Sequence, residues 1–155
     1  MSSRKPWQIT GAYVARRLEM LQSPAWRYAP RPMKALLEEL EIEHLRHRGA
    51  ANGELARSYT QFVEAGFKRN TVSEMIRVAE ALGFLRVNRN SGIGPRDLRD
   101  AHLYTLTYLP TGVARNIAPT DDWKRIKSKE AAVRIIENAR QPQRRLLPQE
   151  VRGAA

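Results

Sequence analysis

The sequence predicts a mainly α fold with a small β-hairpin, an α+β domain with an added C-terminal helix. Three observations carry this. Apolar residues recur at three- and four-residue steps in three successive segments between Met33 and Gly83. Directly after Gly83 the period changes from helical to two. Beyond a Pro/Gly turn at Pro110-Thr111-Gly112, a further segment of helical period follows Trp123.

Residues 1–22 read as an N-terminal basic arm. Ser23-Pro24-Ala25-Trp26-Arg27-Tyr28-Ala29-Pro30-Arg31-Pro32 is proline-dense and predicts a turn leading into a new helix, with Pro32 in its first turn. From Met33, the residues Leu36, Leu37, Leu40 and Leu45 share a stripe with Ile42 beside it, and Glu38, Glu39, Glu41 and Glu43 take the other faces. This first helix ends before Gly49, Asn52-Gly53 marks a turn, and Glu54-Leu55-Ala56 suits a very short strand. Ser58 caps a second helix, whose stripe of Tyr59, Phe62 and Val63 stops at Gly66.

The third helix starts between Arg69 and Thr71 and buries Val72, Ile76, Ala79 and Leu82, with Met75 alongside. Thr71-Val72-Ser73-Glu74 matches the capping-box pattern, and Asn70 is the alternative cap. Phe84–Arg89 and Leu103–Leu109 alternate and can pair as a hairpin across the loop from Asn90 to Asp100. Residues 23–110 thus form the predicted domain, 111–140 a linker and C-terminal helix capped by Asp121 or Asp122, and 141–155 a disordered basic tail.

Composition narrows the function classes. The chain has 155 residues, is 42% hydrophobic, and carries a net charge of +11. Its apolar runs are shorter than the roughly 18 residues of a membrane span, and its N-terminus lacks a signal-peptide h-region, so a soluble cytoplasmic, nucleoid-associated protein is expected. With no cysteine, thiolate metal sites are excluded. His44 and His47 read as two solvated histidines near a helix end, and no cofactor or metal motif stands out. The charge is uneven: residues 1–34 carry +6 and residues 110–155 carry +5, whereas residues 58–85 are neutral. Basic flanks of this kind attract polyanions.

The segment Gly66-Phe67-Lys68-Arg69-Asn70-Thr71-Val72 through Glu80-Ala81-Leu82-Gly83-Phe84-Leu85 resembles the recognition-helix region of bacterial winged helix-turn-helix regulators and replication initiators. Ser23-Pro24-Ala25-Trp26-Arg27 with its following helix is similar to the entry of winged-helix domains in phage and plasmid replication proteins and in small mobile-element proteins. The likeness covers roughly residues 20–110 and departs from the pattern at Lys68, where a small capping residue is more usual. It implies binding of double-stranded DNA.

An α-helix fits the major groove, and the polar set expected to face outward is Lys68, Arg69, Asn70, Ser73, Glu74 and Arg77. Arg69 or Arg77 suits guanine, Asn70 suits adenine, and Lys68 and Ser73 suit phosphates. In the wing, Arg86, Arg89 and Arg96 are candidates for phosphates or the minor groove, with Arg99 a further option beside Asp97 and Asp100. Trp26 and Trp123 read as anchors on the core, and Phe84, Tyr104 and Tyr108 as hairpin core.

The leading expectation is a sequence-specific regulator of transcription that acts on duplex DNA, with a homodimer as one option for a palindromic site. The alternatives are a replication-initiation or recombination accessory factor and an RNA-binding basic protein. No clustered acids, activated nucleophile or phosphate-cradling loop points to an enzyme.

Overall fold

The structure is a computed structural model that describes residues 5–89 and 102–141. The loop expected between the hairpin strands, with Arg96 and Arg99, and the expected tail beyond Gln141 lie outside the described residues. The elements are α1 (Leu18–Gln22), α2 (Pro24–Arg27), α3 (Arg31–Arg46), β1 (Leu55–Arg57), α4 (Tyr59–Glu64), α5 (Arg69–Leu82), β2 (Leu85–Asn88), β3 (His102–Leu106), a 3-10 turn (Asp122–Arg125) and α6 (Lys129–Arg140). The architecture is mixed α/β, with an antiparallel sheet in the order β1-β3-β2. Tyr104 stands opposite both Leu55 and Val87, so β3 is the central strand and the short strand before α4 completes the sheet.

Each element starts for a local reason. The prolines of residues 24–32 punctuate helix starts where a turn was expected. Pro24 opens α2 because its missing N–H needs no partner there, and Ser23 Oγ accepts from Trp26 N at 3.2 Å. Likewise Pro32 sits in the first turn of α3, which begins at Arg31, as the sequence predicts. Ser58 and Gln61 make a reciprocal capping box on α4, with bonds of 2.9 and 3.2 Å.

The chain turns at Gly66, whose φ of +103° a side chain would resist, and Phe67 then packs edge-on against Phe62 at 6.0 Å. Neither Asn70 nor Thr71 caps α5. Its N-cap is Lys68, which makes no side-chain cap, because the helix begins as soon as the chain leaves the Phe62–Phe67 contact. Glu74 serves a different partner, Arg140, at 3.2 Å.

The core joins Leu36, Leu37 and Leu40 of α3 to Val72, Ile76, Ala79 and Leu82 of α5 and to Phe62, Phe84, Tyr104 and Leu106. Trp26 and Trp123 anchor their segments in this core, and Phe84, Tyr104 and Tyr108 are buried in it, as the sequence predicts. Asn52, also buried, donates to the carbonyls of Leu106 and Leu109 and accepts from Leu106 N at 2.7 Å, tying the turn before β1 to the end of β3.

The N-terminal segment is less of an arm than its charge implies. Arg16 grips the buried Glu41 with two bonds of 3.0 and 2.9 Å, and Met20 lies in the core. Glu41 also accepts from the Tyr108 hydroxyl, and burial together with that carboxylate pushes the phenol well above its ordinary range.

The C-terminal helix predicted from Trp123 is broken. A 3-10 turn holds Trp123, and α6 starts afresh with Ser128 Oγ accepting from Ala131 N at 3.1 Å. Neither Asp121 nor Asp122 is its cap: Asp121 pairs with Arg17 and accepts from the Trp123 indole, and Asp122 is held by Arg86. Gly83 explains the join. It ends α5 with φ +85°, and a Cβ there would stand 2.6–2.8 Å from the backbone of Asp122 and Trp123. From that junction α6 runs back antiparallel along α5, with Arg125 donating to Ala81 O at one end and Arg77 Nε donating to Ala139 O at the other. No helix among the described residues is long and apolar enough to cross a membrane.

Candidate nucleic-acid interface

The first turn of α5 is open. Lys68, Arg69 and Asn70 are exposed, and among the described residues neither cation meets a carboxylate. Arg69 lies over the Tyr59 ring at 5.6 Å, and that ring stands edge-on to His102 at 5.9 Å. The starts of α4, α5 and β3 therefore converge on one surface. Tyr59 and His102 were not singled out as site residues. Tyr59 reads as one more member of the α4 stripe, and its position directly after the cap, where a half-buried phenol reaches past the stripe, was the available signal.

The other expected contacts are engaged within the protein. Ser73 Oγ accepts from Arg77 Nη1 at 2.9 Å, and Arg77 Nε donates to Ala139 O at 3.1 Å, so this side chain turns onto α6 and away from the outward face predicted for it. Helical period identifies the face that meets the core, but gives no sign of a second helix laid over the opposite face.

Arg86 forms a two-pronged pair with Asp122 at 2.8 and 3.1 Å. It follows the far end of α5, about 20 Å from Arg69 by the rise of the helix, and so does not join the open turn. Arg89 pairs with Glu80 at 3.1 and 3.4 Å, a hydrogen bond that raises its already high pKa. The Arg89–Glu80 pair is exposed on both sides and contributes about 0–1 kcal/mol, so a phosphate can compete for Arg89, whereas Asp122 is only 20% exposed and holds Arg86 more firmly. Arg96 lies outside the described residues. Tyr104 is fully buried beneath this surface, where desolvation holds its phenol above the ordinary range.

A second cationic patch gathers where α2 meets α3 and α6 begins. Arg27, Arg31, Lys34 and Lys129 have no carboxylate partner among the described residues. Lys34 lies 5.0 Å above Trp26, and burial with the nearby Arg16 and Arg31 lowers its pKa. Arg27 ends α2 and Arg31 and Lys34 open α3, so a helix boundary separates in sequence the cations that the fold brings together.

No protein-family description, curated protein or solved structure matches this chain. Among the described residues, no group of three or more His, Asp or Glu side chains is placed to hold a metal ion. What the open turn offers is hydrogen-bond donors, two mobile cations and the positive end of a helix of 14 residues. That combination suits an anion that carries directional polar groups.

Proposed function

We propose that the protein is a winged helix-turn-helix factor that binds double-stranded DNA sequence-specifically and regulates transcription, with α4 and α5 as the helix-turn-helix. The observation that carries this reading is the open first turn of α5, where Lys68, Arg69 and Asn70 face solvent without a carboxylate partner among the described residues. The sheet order β1-β3-β2 behind the two helices is compatible with a wing. In this reading Arg69 and Asn70 address base edges, Lys68 addresses phosphate, and Arg89 exchanges Glu80 for phosphate. Arg77 acts structurally, by fastening α6 to α5.

Selection of bound duplexes from a random library with the full chain tests it. An enriched motif whose preference is lost in Arg69→Ala and Asn70→Ala supports the reading. Recovery of no motif, or an RNA competitor displacing the selected DNA at lower concentration than random duplex, overturns it in favour of general nucleic-acid binding. Protection confined to origin repeats moves the role to replication.

A further inference from the structure

The C-terminal end of α3 carries a histidine that the proposed function does not use. His44 is only 5% exposed, contrary to the solvated pair expected at this helix end, whereas His47 is exposed and bonds Glu43 at 2.9 Å. Its Nδ1 is buried with no hydrogen-bond partner among the described residues. Such an atom is costly to leave unsatisfied. His44 also lines a cleft of about 550 Å³, within the size range of small-molecule sites, walled by residues 11–15, by the end of α3 and by the turn after β3.

The cleft's polar groups are of one sign. Arg115 and Arg48 both line it, and neither has a carboxylate partner among the described residues. A Cβ built on Gly49 would lie 3.5 Å from Arg115 Nη1 and 3.6 Å from His44 Nε2, so guanidinium and imidazole flank the same glycine. Arg48 and Arg115 also take left-handed backbone angles, φ +56° and +53°, that favour neither residue. Burial first, and then Arg115, lower the pKa of His44, disfavouring a charged imidazole beside that cation. The remaining walls, including Val14, Leu45 and Leu109, are mainly apolar, with the Tyr13 phenol among them.

We infer that this cleft is a binding site for a small organic monocarboxylate, with Arg115 and Arg48 facing the carboxylate, His44 hydrogen-bonding it, and the apolar walls taking its hydrocarbon body. Arg48 and Arg115 are both exposed, so solvent screens much of their double charge and one carboxylate can satisfy the site, while the apolar walls favour an organic anion over free phosphate. The site adjoins the end of β3 opposite the one next to α5's first turn, so it stands whether or not that turn binds DNA.

The test is a nuclear magnetic resonance titration of the full chain, followed at the His44 ring carbon, with benzoate, hexanoate, benzamide and inorganic phosphate. Benzoate or hexanoate should shift His44 with a dissociation constant of about 1 mM or tighter and raise its pKa. Benzamide and phosphate should bind at least about tenfold more weakly. Arg115→Asn, which keeps a residue tolerant of the left-handed angle, and Arg48→Asn should each weaken the carboxylate about fivefold or more. The inference fails if neither carboxylate moves His44 by roughly 20 mM. It fails equally if benzamide or phosphate binds as well as benzoate, or if both arginine variants bind unchanged.

Discussion

The two halves of α5 differ in what covers them. At its start Lys68, Arg69 and Asn70 project into solvent, and among the described residues Arg69 meets the Tyr59 ring. In its later turns Glu74, Arg77 and Glu80 are tied to Arg140, to Ala139 O and to Arg89. One end is left free to bind, and the other is clad by α6. A helix's outward face is thus not uniformly available, and its accessible part is set by an element joined much later in the chain.

The strongest way to break this contrast is at the junction that aims α6. Gly83→Ala combines a left-handed angle with a backbone collision and should cost on the order of 3 kcal/mol or more in urea unfolding. If it is tolerated, α6 is not held in place by this contact. Next, Arg69→Ala should lose about 1–3 kcal/mol of discrimination between selected and random duplexes while leaving the unfolding midpoint unchanged. Arg77→Ala should do the reverse, with about 1 kcal/mol lower stability and an unaltered sequence preference. Equal effects of both substitutions on preference would erase the distinction between the halves. Arg89→Ala should weaken selected and random DNA alike, by severalfold, and lower the salt slope by about one.

The smallest effect lies away from α5. Because the pKa of His44 is lowered from its ordinary 6.5, the unfolded chain binds more protons than the folded one below that pH. The stability from the neutral imidazole is complete above about pH 6.5 and declines as pH falls towards the folded value. The cations facing it are Arg48 and Arg115, and Glu43 is turned to His47. His44→Gln should flatten the decline in stability measured between pH 7 and 5.

Much of this was legible where the signal is local. The stripes of α3, α4 and α5, the Ser58 cap, the period change after Gly83 and the two anchoring tryptophans all express short-range geometry or burial of a large ring. The expected strand at Glu54–Ala56 is β1, one residue along. What escaped depends on distant partners. Ser128 caps α6 only because Gly83 stops the preceding turn against α5. Arg77 faces α6, Arg86 finds Asp122, and Arg16 finds Glu41, across separations that periodicity does not register. The burial of His44 depends similarly on residues from three parts of the chain.

The antiparallel return of α6 has a practical result. Gln141, at its end, shares a cleft with Arg77, Glu80 and Arg89, beside the later turns of α5. The chain contains no cysteine. A single thiol introduced at Gln141 would therefore accept one dye at one known place, giving an optical sensor of events at the neighbouring surface without touching Lys68, Arg69 or Asn70.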